Sequence, residues 1–166
     1  MSWLYVVVGL VTIQRLGELA WSRRNERSLR NAGAIEVGRS HYPFFIALHA
    51  GWLAAILLGV PSATVPDSML LGFFAVLQIL RIWIVASLGG FWTTRILSLP
   101  GAPLVHRGPY RWVRHPNYMV VSAEIAILPM AFGAIGIALI FSAANLILLA
   151  VRIHAEEAAL ASRRSL

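Results

Sequence analysis

Four apolar blocks of bilayer-spanning size, residues 2–21, 43–60, 69–88 and 118–151, constrain this chain more than any motif does. A helix that crosses the hydrocarbon core of a membrane needs about 20 predominantly apolar residues, and each of the first three blocks matches one crossing. The fourth is too long for a single span at about 1.5 Å per residue, and Pro129, Gly133 and Gly136 interrupt it. It reads as two helices in a tight hairpin. The sequence thus predicts an all-α polytopic membrane protein with about five transmembrane helices. Composition agrees, because 58% hydrophobic and 13% charged residues cannot cover a water-soluble surface. The first charge is Arg15, so no basic segment precedes the first block, which reads as a span rather than a cleaved leader. No internal repeat or low-complexity stretch divides residues 1–166, which read as one domain.

The formal net charge of +7 comes from 14 arginines and no lysine. Most of them fall in short connections rather than on a continuous basic face, which argues for topology signals and against nucleic-acid binding. Residues 22–40 carry Arg23, Arg24, Arg27, Arg30 and Arg39, whereas 61–68 carry only Asp67. Arg95, Arg107, Arg111 and Arg114 occupy the third connection, and Arg152, Arg163 and Arg164 the C-terminal end. The excess of arginine on cytoplasmic segments places the N-terminus outside and the C-terminus in the cytoplasm. Cysteine is absent, which excludes disulfides, thiolate metal sites and thiol nucleophiles.

The polar residues concentrate in two places. One is Gly108-Pro109-Tyr110-Arg111-Trp112-Val113-Arg114-His115-Pro116-Asn117-Tyr118, followed by Arg152, Glu156 and Glu157. On helices, His115, Tyr118 and Ser122 share one face, and Asn145, Arg152 and Glu156 share another. Facing each other across the hairpin, the two stripes would line a cytosolic pocket open to water and lipid. Arg107 and Arg111 read as snorkelling anchors, and Phe91, Trp92 and Trp112 as an interfacial aromatic belt. The second group, Arg15, Glu18, His49, Gln78, Arg81 and Glu124, lies inside the apolar blocks. Charges at that depth are costly and expected to pair; Arg15 and Glu18, three apart, can do so on one helix. The group suits either a network holding the helices in register or recognition of a substrate head group. Glu124, two residues beyond Ser122, is placed to reach the hairpin pocket.

The pattern Leu104-Val105, Gly108-Pro109-Tyr110, Arg114-His115-Pro116-Asn117-Tyr118, Arg152 and Glu156-Glu157 resembles the isoprenylcysteine carboxyl methyltransferase and phospholipid methyltransferase superfamily of integral membrane enzymes. In the N-terminal half, Gln14-Arg15-Leu16, Glu18, Arg23-Arg24-Asn25, Gly33-Ala34, Glu36, Gly38, His41-Tyr42-Pro43 and His49 are similar to small bacterial members encoded near type III polyketide synthases, which O-methylate long-chain alkylpyrones or alkylresorcinols. The resemblance implies S-adenosylmethionine as cofactor, a lipophilic acceptor and the bacterial inner membrane, with residues 1–88 supplying three spans and 89–166 the cofactor-binding catalytic region.

For the site, the resemblance implies a cofactor lining drawn from Leu104, Val105, Gly108, Pro109, Tyr110, His115, Pro116, Tyr118, Asn145, Glu156 and Glu157. Arg114 and Arg152 suit carboxylate recognition or orientation of the substrate oxygen, because a guanidinium offers planar paired donors. Glu156 and Glu157 suit the cofactor's amino or ribose groups. A carboxylate or acidic enol nucleophile needs no base; a phenol near pKa 10 needs one, and His115 and Glu156 are the candidates. Glu124, Glu18, Arg15, His49 and Arg81 are the acceptor-side candidates. No metal is required. Carboxyl methylation of a prenylcysteine and N-methylation of a phospholipid are the neighbouring reactions. A non-catalytic membrane subunit or small transporter is the reading from another class, although a transporter site is expected at the midplane between repeats.

Overall fold

The computed structural model describes residues 2–160, and Arg163 and Arg164 lie outside the described residues. The chain forms five α-helices: α1 (Trp3–Asn31), α2 (Tyr42–Gly59), α3 (Ser68–Leu88), α4 (Pro116–Ala131) and α5 (Ile135–Leu160). Of these, α1, α2, α3 and α5 are long and apolar enough to cross a membrane. The helix α4 has 16 residues, about 24 Å at 1.5 Å per residue. It packs between α3 and α5. Its buried side chains include Val120, Val121, Ile125 and Leu128, and the apolar core that the last three share with Leu4, Val8, Trp52, Ile56 and Phe74 occupies the half of the bundle away from residues 89–115.

The expected hairpin break falls at one of the three candidate positions. Gly133, at φ +73°, closes α4 with a left-handed turn, in which the Ala134 N–H donates to Pro129 O and the Gly133 N–H to Met130 O, both at 2.9 Å. Pro129 and Gly136 stay inside helices. Pro129 leaves the Ile125 carbonyl, four residues earlier, without its helical donor. The indole N–H of Trp52 on α2 supplies one at 3.2 Å. A proline that reads as a breaker thus becomes a point of interhelix attachment.

Two further differences concern the arginine-rich end. First, α1 runs ten residues past Trp21, so Arg23, Arg24, Arg27 and Arg30 stand on a helix rather than in a loop. The extension buries Ser22, Asn25 and Leu29: Asn25 Nδ2 donates to Trp92 O at 2.8 Å and Gly89 O at 3.0 Å, and Ser22 Oγ accepts from the Thr94 N–H at 2.8 Å. Hydropathy stops at the first arginine; helix formation does not. Second, the fold is not purely helical. Short strands β1 (Ile35–Val37) and β2 (Ile96–Ser98) pair antiparallel, with Glu36 opposite Leu97, and clasp the two connections together.

Glu36 anchors this clasp by ion pairs to Arg30 and Arg95, and the Arg95 guanidinium sits 4.2 Å above the Tyr42 ring. Burial alone would raise the Glu36 carboxyl, but hydrogen bonds and charge from Arg30 and Arg95 outweigh it and hold the carboxyl below its ordinary value. Its stabilisation is therefore present above about pH 4.3 and is lost as pH falls through the lowered value. We predict that Glu36→Gln lowers the melting temperature of the solubilised protein by a few degrees at pH 7, and that the gap from wild type narrows below about pH 4. Thermal scans at both pH values decide this; an equal gap at each would remove Glu36 as the anchor.

Candidate active site

A cavity of about 600 Å³ opens where β2, the 103–106 segment, the start of α4 and the last turns of α5 converge. Leu104, Val105 and Tyr110 form one wall, Arg114, His115 and Tyr118 the next, and Arg152 and Glu156 the third. The hydrogen-bonded centre is Tyr118, whose hydroxyl donates to Glu156 Oε2 and accepts from Arg152 Nε at 2.8 Å. Arg152 is buried. It also donates from Nη2 to Thr94 O at 2.8 Å and lies 5.1 Å from the Phe45 ring centroid. The fixed guanidinium therefore presents one edge to the cavity while the rest is held by α2, α4 and the 92–95 segment.

His115 stacks on Tyr118, with centroids 5.3 Å apart and planes 16° from parallel. Its Nε2 is 3.1 Å from Glu157 Oε1 and its Nδ1 is 3.6 Å from Glu156 Oε2. An imidazole set between two carboxylates is oriented at both nitrogens. Tyr110 is half-buried, and this desolvation together with the Glu156 charge pushes its phenol above the ordinary value, so it stays a neutral donor. Arg114 is different: its side chain is 74% exposed, with Nη1 3.9 Å from Glu157. It lines the cavity at its open mouth.

Other nominated residues act behind the lining. Gly108 has φ +58°, and a Cβ there would fall 2.0 Å from Ser87 Oγ, so the turn carrying Tyr110 packs directly on α3. Pro109 is buried, and Pro116 opens α4 where a proline costs no hydrogen bond. Asn145 is fully buried and donates to Ser122 Oγ at 3.1 Å, joining α5 to α4. Two residues read as membrane anchors have other roles. Trp92 is 4% exposed and lines the cavity instead of facing lipid. Arg107 donates from Nε to Ser87 O at 2.6 Å, satisfying a terminal carbonyl of α3.

The intramembrane charges form one network across α1, α3 and α4. Arg81 donates through Nε to Glu18 Oε1 at 2.6 Å and also pairs through Nη2 with Glu18. Its Nη1 is 3.4 Å from both Glu124 Oε2 and Asn117 Oδ1. Arg15 pairs with Glu18 at 3.3 Å and with Glu124, and Gln78 donates to Glu124 at 2.9 Å. Glu124 is 1% exposed and does not line the cavity, because these three partners turn it toward α1 and α3. His49 stays out of the hydrogen-bonded set, with Nδ1 2.8 Å from its own helix's Phe45 O. Asn117, Thr94 and Trp92 are site residues that sequence reasoning missed; only Asn117, inside the Arg-His-Pro-Asn-Tyr string, carried a signal.

Membrane-length helices with a cavity at one end, walled by both polar and apolar side chains, define an integral membrane protein with a candidate ligand site at the bundle terminus. The sequence model of the isoprenylcysteine carboxyl methyltransferase (ICMT) family matches residues 70–162. The chain is 42% identical over 164 residues to the uncharacterized protein YpbQ of Bacillus subtilis, and 25% identical over 167 residues to an uncharacterized protein of Haemophilus influenzae, each alignment covering 96% of both chains. No solved structure is a significant match. The chain belongs to the ICMT family, a family of membrane methyltransferases.

The network makes a stability prediction. Removing one partner of a buried ion pair costs about 3–5 kcal/mol, because the remaining charge is uncompensated. Glu124→Leu leaves Arg15 and Arg81 sharing Glu18 alone, so we expect a sharp loss of folded yield and a lowered melting temperature, with Glu124→Gln milder. A Glu124→Leu variant that melts with wild type would show that the network carries no such charge balance.

Proposed function

We propose that the protein is an integral membrane O-methyltransferase that takes its methyl group from cytosolic S-adenosylmethionine and its acceptor from the bilayer. The acceptor we propose is the hydroxyl of a long-chain alkylpyrone or alkylresorcinol. The observation that carries the reading is the meeting of Arg152, Tyr118, His115 and Glu156 in one cavity at the end of a membrane bundle. Its volume, about 600 Å³, falls within the range of about 300–1,000 Å³ for small-molecule sites. The side chains also suit the cofactor. Arg114 and Arg152 offer guanidinium donors for a carboxylate, Glu156 and Glu157 offer carboxylates for an ammonium or ribose hydroxyl, and Leu104, Val105 and Tyr110 offer an apolar and aromatic wall.

When bound, S-adenosylmethionine supplies an electrophilic methyl group on a sulfonium sulfur. What the chain contributes is alignment, exclusion of water and a destination for one proton. Tyr118, fixed between Arg152 and Glu156, and His115, fixed between Glu156 and Glu157, orient the acceptor oxygen. His115 or Glu156 takes the hydroxyl proton of a phenolic acceptor; an acidic enol arrives ionised and needs no base.

Topology supports a cytosolic source of cofactor. Arg95, Arg114 and Arg152 line the cavity, Arg30 joins the clasp at the same end, and the connection at the other end of α2 and α3 carries only Asp67. By the arginine rule the cavity end faces the cytoplasm. With α4 counted as a short, protein-enclosed crossing, the chain makes five spans, starting outside and ending inside. Residues 1–166 then act as one domain in a bacterial inner membrane, 89–166 forming the cofactor region on three N-terminal spans.

The test is transfer of a labelled methyl group from S-adenosylmethionine by purified protein to 5-pentadecylresorcinol or an alkylpyrone, to farnesylated cysteine, and to phosphatidylethanolamine. Labelling of the first class is the expected result. Labelling of farnesylated cysteine or phosphatidylethanolamine alone would assign carboxyl or phospholipid methylation instead. Cofactor binding without any transfer would remove the proposed acceptor, and absence of cofactor binding would favour a non-catalytic role. Arg152→Ala and Glu156→Ala are each expected to cut kcat/KM by about a hundredfold or more, and exposed Arg114→Ala by about tenfold. Wild-type rates in correctly inserted variants would overturn the site assignment.

A further inference from the structure

At the cavity end of α3, two tryptophans stand together on the outside of the bundle. Trp83 on α3 and Trp112 in the connection to α4 are 45% and 70% exposed, with ring centroids 6.2 Å apart. Trp83 lies five residues before the end of α3 at Leu88, about 7.5 Å at 1.5 Å per residue, which sets the pair at the level where a membrane-length helix leaves the lipid and indoles are favoured. Two exposed arginines flank it. The Arg111 guanidinium is 5.7 Å from the Trp112 ring centroid. Arg107 is held through Nε on Ser87 O, and Ser87, four residues after Trp83, shares its face of α3. We propose that this surface binds an anionic phospholipid, with Arg107 and Arg111 taking the phosphate of the head group and the two indoles lying against the glycerol and upper chain region. The site holds whatever reaction the cavity performs.

The chain does not neutralise these two arginines itself. It has seven acidic side chains, and each is engaged elsewhere: Glu18 and Glu124 in the intramembrane network, Glu26 and Glu36 at the clasp, Asp67 at the start of α3, and Glu156 and Glu157 beside His115. Neither Arg107 nor Arg111 has an ion pair among the described residues. The counter-charge therefore comes from outside the protein. A guanidinium offers paired donors to a phosphate, and Arg107 commits only Nε to Ser87 O, which leaves its terminal nitrogens for a ligand.

The tryptophans decide for a lipid over a dissolved anion. A small aqueous anion gains nothing from two exposed indoles, whereas a phospholipid has an apolar body directly below its charge, and an indole joins a large apolar face to one N–H donor. Charge and apolar surface side by side thus match the boundary between head group and chain. The backbone also sorts the residues of this connection. Tyr110, Arg114 and His115 line the cavity, while Arg111 and Trp112 do not and are exposed. The turn is fixed from behind, because Gly108, at φ +58°, packs so closely on Ser87 that a Cβ would fall 2.0 Å from its Oγ. A lipid on the outer face and a ligand in the cavity therefore share one short, anchored segment, with Arg111 three residues from Arg114 at the mouth.

The experiment reads the two tryptophans directly in full-length protein. Trp3 and Trp21, at 56% and 42% exposed, are replaced by phenylalanine to give a reporter protein; Trp52 and Trp92, at 1% and 4%, are retained because the fold shields them from lipid. In phosphatidylcholine nanodiscs with a minority of phosphatidylglycerol, quenching by acyl-brominated phosphatidylglycerol is compared with quenching by acyl-brominated phosphatidylcholine at the same mole fraction. Phosphatidylglycerol should quench more strongly, and Arg107→Gln with Arg111→Gln should cut that preference by about fivefold. Arg24→Gln with Arg27→Gln removes the same charge from exposed positions of the α1 extension and should leave the preference near that of the reporter protein. An equal loss in both pairs would mean general attraction of anionic lipid to a basic protein and would overturn the site, as would equal quenching by the two lipids at the outset. If the Arg107 change prevents insertion, Arg111→Gln alone decides, since that side chain is exposed and its recorded contact is with Trp112. Excess inorganic phosphate should leave the quenching intact; recovery of fluorescence would make this a free-phosphate site and end the lipid assignment.

Discussion

Four charges that must neutralise one another without water hold this structure in register. A charged side chain inside the hydrocarbon region persists only when it is paired and hydrogen-bonded, and Arg15, Glu18, Arg81 and Glu124 satisfy that condition only together. Arg81 is the shared member, bonded to Glu18 on α1 and to Glu124 and Asn117 on α4. Because hydrogen bonds weaken steeply outside narrow limits of distance and angle, these pairings fix the rotation of three helices about their axes. Rotating α4 to satisfy Glu124 simultaneously turns its first turn so that His115 and Tyr118 face α5. The intramembrane network and the cavity are two ends of one orientation.

The site itself is assembled by connections as much as by helices. Arg152 is immobilised because its guanidinium bonds Thr94 O and Tyr118 together, and Thr94 is in turn fixed by Ser22 on the extension of α1. The β1–β2 pair and the Glu36 ion pairs close the same loops from outside. Fixing a buried arginine in advance matters for transfer chemistry, since a positioned donor need not reorganise when the substrate arrives.

Much of this was legible in the sequence, and what was missed follows a pattern. Hydropathy located the helices, because burial in lipid demands long apolar runs. It misplaced the end of α1, because a charged amphipathic turn continues a helix without continuing a span. Pro129 read as a break, because local rules cannot know that Trp52, some seventy residues earlier in the chain, answers the orphaned Ile125 carbonyl. Glycine at 133 was the true stop, since only it supplies the left-handed turn. For the site, helical spacing correctly set His115 beside Tyr118 and Arg152 near Glu156, whereas Thr94 and Trp92 had no local signal. Their roles depend on contacts with α1 and α5 that only the tertiary arrangement creates. Pairing of Arg15 with Glu18 was readable at three residues' spacing, but the Arg81 and Glu124 links span 43 to 109 residues of chain.

The depth of the network bears on its purpose. Well-packed apolar residues of similar volume often stabilise a protein as well as a buried ion-pair cluster, or better, so stability alone does not account for four charges among these helices. Apolar packing is non-directional, whereas these pairings set the rotation of α1, α3 and α4. Arg81 carries that setting outward, since the guanidinium that pairs with Glu18 also reaches Asn117 in the wall of the cavity. The expensive charges are then a means by which the register of the bundle fixes the geometry of the cavity at its end.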